Sequence, residues 1–198
     1  MWRRITMLVA TLLVGVFLAS GVALATTEFG GPSNDALIGT NAADRLYGRA
    51  GDDAILGLGG NDPRLVGGSG DDSVSGGRGD DRILGPGVVS GGEPTYEKGS
   101  DTLSGDAGDD QVIGGLGPDT LSGGEGNDFL LDALGDHGTD RSVDVLSGGS
   151  GNDQLLAWSG VGPKDLLSCG GGFDTVSADK GIDTVAQDCE IVFWSPEA

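Results

Sequence analysis

From about residue 30 onward the apolar positions follow neither a helical period nor a long alternating strand. Single aliphatic residues recur at near-constant spacing, each two places after an Asp and each followed by a Gly-rich stretch. Gly67-Gly68-Ser69-Gly70-Asp71-Asp72-Ser73-Val74-Ser75 is followed at once by a second nine, Gly76 to Leu84. Gly48 to Leu56, Gly105 to Ile113, Gly114 to Ser122, Gly123 to Leu131 and Gly148 to Leu156 repeat the form G-G-x-G-(N/D)-D-x-U-x, with U aliphatic. Weaker copies fill the gaps. Gly30 to Ile38 carries Asp35 and Leu37, and Gly39 to Tyr47 carries Asp44 and Leu46. Gly57 to Val66 holds Asp62 and Leu65 with one extra residue and Pro63. Later copies end in Asp101-Thr102-Leu103, Asp144-Val145-Leu146, Asp165-Leu166-Leu167, Asp174 with Val176, and Asp183 with Val185. With Gly85 to Ser90 as a truncated row that keeps Val89, sixteen rows result.

A nine-residue unit this regular suits a very short strand and a tight turn. The triplet x-U-x predicts a strand with U inward and its neighbours outward. The other six predict a turn in which Gly allows positive φ and close backbone approach. Two turns and two strands close one coil, and stacked coils pair as parallel strands about 4.8 Å apart. The expected fold is therefore all-β, a parallel β-roll or β-helix solenoid of eight coils, on the order of 40 Å long. Its core is only a double column of Leu, Ile and Val.

Stacking has a cost that composition makes plain. The 198 residues include 40 Gly, 31 acidic and 11 basic residues, a net charge of -20. Coils in register place the Asp side chains in columns a few ångströms apart, where they repel. Something cationic must lie between them. Carboxylates and carbonyls are hard oxygen donors that favour Ca²⁺, whereas Mg²⁺ demands stricter geometry and Zn²⁺ wants His or Cys. The same charge excludes nucleic acid as an expected partner.

These rows resemble the RTX, or hemolysin-type, calcium-binding nonapeptide repeat, over about residues 30 to 186. The resemblance implies a β-roll with Ca²⁺ between successive turns, held by the sixth-position Asp and by turn carbonyls. Carried over, it implies one edge of Asp35, Asp53, Asp72, Asp110, Asp128, Asp153 and Asp174. The other edge would hold Asp44, Asp62, Asp81, Asp101, Asp119, Asp144, Asp165 and Asp183. The truncated Gly85 row is expected to break the first column between Asp72 and Asp110. If that row is looped out instead, the edges exchange partners downstream. Rows poor in Gly, Gly39 to Tyr47 and those after Leu156, depart from the family pattern. The fifth-position acids Asp52, Asp71, Asp80 and Asp109 read as a solvated surface, with outer ligation the alternative.

Both ends differ from the repeat. Arg3 and Arg4, the apolar run Ile5 to Ala19 and the A-x-A site Ala23-Leu24-Ala25 predict a secretory signal peptide over residues 1–25. An uncleaved anchor is the alternative, since Ile5 to Ala25 spans 21 residues. Without the two arginines, nine basic residues face 31 acidic ones, a charge of -22. The roll is expected over 26–186, with a break near 85–92, and a cap over 187–198. In a secreted chain Cys169 and Cys189 suggest one disulfide; two free thiols are the other reading. The bond would pin the tail, with Ile191, Phe193 or Trp194 covering the open core. His137, in the 132–147 insert, reads as a surface residue, and Trp158 as cover for the roll edge.

No nucleophile-and-base set can be assembled around one loop His, so an enzyme is not expected. The expectation is a secreted, monomeric, calcium-binding β-roll that folds on meeting Ca²⁺ outside the cell. Its role would be structural, adhesive or buffering, with an unidentified cell-surface or matrix partner. The alternative is an accessory module related to RTX toxins or hydrolases, recognising a partner through inserts 93–98 and 132–143. An ice-binding face would need a flat rank of Thr. The residues after the sixth-position Asp include Ala, Arg, Ser, Gln and Phe as well as Thr, which argues against one.

Overall fold

The computed structural model describes residues 23–86, 99–132, 142–157 and 164–195. Most of the signal segment, Val89, His137, Trp158, insert 93–98 and most of insert 132–143 lie outside the described residues. The remainder is a parallel β-solenoid whose strands fall alternately into two sheets. The first sheet holds β1 (Thr27–Phe29), β3 (Arg45–Ala50), β5 (Arg64–Ser69), β7 (Arg82–Pro86), β9 (Gln111–Ile113), β11 (Phe129–Leu131), β13 (Gln154–Ala157), β15 (Thr175–Ala178) and β17 (Ile191–Trp194), in that order. The second holds β2 (Ala36–Ile38), β4 (Ala54–Gly59), β6 (Ser73–Arg78), β8 (Thr102–Ala107), β10 (Thr120–Glu125), β12 (Val145–Ser150), β14 (Leu166–Gly171) and β16 (Thr184–Val185).

Many strands are longer than the predicted triplet. β6, β10 and β12 run six residues and continue through the first two Gly of the next row. Their burial alternates, so both U and the first Gly face inward. Register stacks like on like: Leu121 lies beside Leu103 and Leu146. The resulting column, from Leu37 through Leu46, Ile55 and Leu65 to Val176, is the core, with Val185 and Val192 packed against its end. On the outer face of the first sheet Val66, Leu84 and Ile113 lie side by side and are also buried, outside that central cluster.

Gly85 corrects the row count. Gly68 lies opposite Pro86, and the chain resumes at Gly99 in the turn before Asp101. A Cβ at Gly85 would strike Asp101 Oδ2, as one at Gly76 would strike its own row's Asp81 Oδ2. Gly85 and Asp101 therefore belong to one row, with 87–98 inserted between them. Two rows of the sequence reading merge into one, and the stack runs on in strict alternation.

In most rows the second position takes positive φ, and at three of these it is not Gly: Arg49 at 84°, Leu58 at 77° and Asp106 at 76°. A left-handed conformation costs an L-residue roughly 1–2 kcal/mol, part of which Gly returns as unfolded-state entropy. Leu58 is also largely exposed. Leu58→Gly is therefore expected to stabilise the roll by about 0.5–1 kcal/mol. The check is the urea midpoint at saturating calcium, and an unchanged or lower midpoint would contradict the strain argument.

The tail is a further rung rather than a lid. Val192 pairs with Val176 and points inward, while Phe193 and Trp194 stay exposed. The expectation that Ile191, Phe193 or Trp194 covers the core is thus corrected, because strand alternation gives Val192 the inward position. Cys169 and Cys189 form a disulfide. Asp188 accepts bonds from Gly170 N, Cys169 N and the Ser168 hydroxyl. Burial pushes its carboxyl up, but these donors outweigh it and hold the pKa below the ordinary value. They also blunt an edge that the short β16 leaves open. The disulfide closes a 20-residue separation, so reduction is expected to cost about 3 kcal/mol. In a nearest-neighbour stack that loss should fall on the last coils. Hydrogen exchange should show β16 and β17 losing protection first. Uniform loss along the stack would contradict this.

Candidate metal centre

Each row places its sixth-position Asp at the end of the turn, just before the strand. The carboxylate spans two coils. Oδ1 of Asp53 accepts the amide of Asp35 at 2.7 Å, and Oδ1 of Asp72 accepts that of Asp53 at 2.8 Å. The same bond links Asp72 to Asp101, Asp101 to Asp119, Asp119 to Asp144, Asp144 to Asp165 and Asp165 to Asp183. The second column runs Asp44, Asp62, Asp81, Asp110, Asp128, Asp153, Asp174, and ends on Glu190 Oε2.

This corrects the edge assignment. Asp72 is followed by Asp101, not Asp110, so the edges exchange partners after the insert, as the looped-out alternative requires. The first column is not broken there. The physical reason is that an insert can leave the turn without disturbing the strands on either side. The rows poor in Gly also keep their place: Asp44 and Asp165 are buried in the columns.

The other carboxylate oxygen distinguishes these columns from ordinary turns. Oδ2 of Asp53, Asp62, Asp72, Asp81, Asp110, Asp128, Asp153 and Asp174 is buried with no hydrogen-bond partner. An ionised oxygen left so is costly. It lies against the first Gly of its own row and a carbonyl of the next coil. A Cβ on Gly76 would meet both Asp81 Oδ2 and the Gly105 carbonyl oxygen. Each such place gathers oxygen donors of the kind a hard cation takes.

Without a cation the carboxyls titrate abnormally. Burial, reinforced by neighbouring carboxylates, raises Asp72, Asp81 and Asp110 to about 7, despite the amide bonds that oppose it. Asp62, Asp101 and Asp128 are raised to about 6, burial again being the main cause. Asp53, Asp153 and Asp183 are also raised, chiefly by burial. Asp35, at the N-terminal end, is only half-buried.

Two acids in these columns escaped the sequence reading. Glu190 fills a sixth-position slot, and its signal was present: Glu190-Ile191-Val192 has the acid two places before the inward aliphatic residue. Asp132 stands where other rows begin with Gly. It is buried, and its carboxylate oxygen lies within 4.8 Å of those of Asp144 and Asp165. The fifth-position residues are exposed but not merely solvated. Oδ1 of Asp52 accepts the Asp71 amide, that of Asp71 the Ser100 amide, and that of Asp80 the Asp109 amide. They cap backbone in the direction opposite to the inner columns.

A parallel β-solenoid with columns of unpartnered buried carboxylate oxygens at its turns is a calcium-binding β-roll. The RTX calcium-binding nonapeptide repeat matches in four copies, over residues 29–62, 64–85, 97–130 and 139–161. That is more than half of the chain, and the chain belongs to this family. A search of curated proteins found no match.

Proposed function

We propose that the protein is a secreted, non-enzymatic structural module that folds by binding several Ca²⁺ ions along its two Asp columns. The single observation behind this reading is the run of buried Oδ2 atoms without donors. Ions between coils satisfy them all at once while the carboxylates stay ionised. Asp53, Asp62, Asp72, Asp81, Asp101, Asp110, Asp119, Asp128, Asp144 and Asp153 would supply carboxylates, with turn carbonyls completing each set. Asp35 would serve at the N-terminal end, and Asp132 would add a third carboxylate to Asp144 and Asp165. The ion supplies charge neutralisation and cross-linking of neighbouring coils, so its binding energy becomes folding energy. Before export, where Ca²⁺ is scarce, the repelling columns would keep the chain unfolded; outside, ions would close the stack. The disulfide agrees with an oxidising exterior. The N-terminal apolar run supports the Sec route, and a cell-exterior scaffold or adhesive role follows.

The test is a calcium titration of the chain from residue 26, followed by far-UV circular dichroism, with Mg²⁺ as control. A cooperative coil-to-β transition specific to Ca²⁺ is expected. Asp110→Asn, which weakens one cross-link, should raise the midpoint several-fold. A β spectrum indifferent to both EDTA and Ca²⁺ would overturn the reading.

A further inference from the structure

The alternation of coils between two sheets sorts the outward residues, and the edge exchange after the insert sets only those from Thr102 onward. The residue before each inward aliphatic is Ala36, Ala54, Ser73, Thr102 and Thr120 in the early strands of the second sheet. In β3, β5 and β7 of the first sheet it is Arg45, Arg64 and Arg82. Arg45 lies opposite Arg64, and Leu65 opposite Ile83 sets Arg82 beside Arg64. The three guanidinium side chains thus start from adjacent strands about 4.8 Å apart. Arg49, on the same face of β3, sits 5.0 Å above the Phe29 ring. Phe29 is 56% exposed and stacks on Tyr47 at 4.9 Å. Of seven described basic residues, four share this face. Among the described residues, no carboxylate pairs with Arg45, Arg64 or Arg82, although acids outnumber bases 31 to 11 in the chain. The buried sixth-position acids lie along the turns, where Oδ1 of each faces an amide of the neighbouring coil.

We propose that this arginine ladder, with the Phe29–Tyr47 pair, is a docking surface for a linear acidic polysaccharide carrying one carboxylate per sugar ring. A guanidinium fork matches a carboxylate in two parallel hydrogen bonds. The exposed part of Phe29, whose ring meets Tyr47 and Arg49, adds an apolar contact for a sugar ring. The ladder offers one positive charge for each strand it crosses, which suits a polymer with one charge per ring-sized unit. Duplex nucleic acid carries a charge every ~1.7 Å of axis; its surplus would face the acid columns flanking the sheet. The inference rests on the calcium reading in one respect. Metal-free columns repel any polyanion, and ions between the coils remove that repulsion, so docking follows calcium loading.

The experiment is calorimetric titration of the calcium-loaded chain with a short oligoglucuronate. A neutral oligosaccharide of equal length and a single-stranded oligonucleotide serve as controls, at constant free Ca²⁺. Binding of the oligoglucuronate alone is expected, weakening with added salt. R64Q/R82Q should weaken it at least tenfold and R78Q, on the second sheet, should not. Arg45→Gln, at an exposed site, gives a second reading should the double variant fold poorly. Circular dichroism of each variant in calcium reports the fold separately. A chain that is β without calcium would sink the calcium reading and leave this one to be judged by binding. No binding by the folded chain, or binding untouched by R64Q/R82Q and Arg45→Gln, would overturn the docking surface. Equal binding of the oligonucleotide through the same arginines would overturn the polysaccharide as its occupant.

Discussion

Gly151→Val is expected to split the stack, with a loss of at least about 4 kcal/mol. Gly151 has φ of 132°, a region closed to a β-branched residue. Its Cβ would also lie inside bonding range of the Gly126 carbonyl oxygen and 2.5 Å from the carbonyl carbon. Neither backbone can retreat. The Gly151 amide donates to Gly171 O at 2.8 Å, the Gly126 amide to Ser150 O at 2.8 Å, and Asn152 N to Asn127 Oδ1 at 2.9 Å. The clash therefore falls on a contact held from both sides. Because each coil touches only its neighbours, damage should centre between the coils of β10–β11 and β12–β13. Gly171→Val provides the comparison: a Cβ there meets nothing within 4 Å, and its φ is not left-handed. Urea melts in saturating calcium should show a large loss for the first and a change within about 0.5 kcal/mol for the second. Equal effects would mean that the turn glycines are not needed for close stacking.

The contrast between these two glycines also shows what the sequence carries and what it does not. The inward aliphatic positions and the sixth-position Asp were readable because each coil demands the same chemistry at the same place. A buried U must be apolar, and a metal-facing turn must carry an oxygen. Pairing across an insert is different. Asp72 and Asp101 are 29 residues apart, and nothing local to either tells that Gly85 and Asp101 close one row. Loop-closure entropy rises only slowly with length, so a solenoid absorbs such an excursion and resumes in register. The merged row then decides which side chains share a sheet. Downstream of it, Thr102 and Thr120 join Ala36, Ala54 and Ser73 on the second sheet, and Gln111 and Phe129 follow Arg45, Arg64 and Arg82 on the first. Glu190 was hidden for a simpler reason: a longer acid occupies a slot that the repeat otherwise gives to Asp.

The pH response of the roll is expected to reverse sign with calcium. In the metal-free fold, Asp72, Asp81 and Asp110 sit at about 7, and Asp62, Asp101 and Asp128 at about 6, burial being the main cause. The ordinary value is 3.8. Between about pH 4 and 7 the folded chain therefore binds more protons than the unfolded one, and stability falls as pH rises. The stabilising contribution is complete below the unfolded value and is lost as pH passes through the folded one. With EDTA present, acidification from about pH 8 to pH 5 should recover β structure, because protonation removes the repulsion within each column. With calcium the ligands must be ionised, so protons compete with the ion. The calcium midpoint should then rise as pH falls through the same window. Circular dichroism across a grid of pH and free Ca²⁺ measures both slopes. A metal-free signal that grows with pH, or a calcium midpoint indifferent to it, would mean that the buried carboxyls are not the groups on which ion and proton compete.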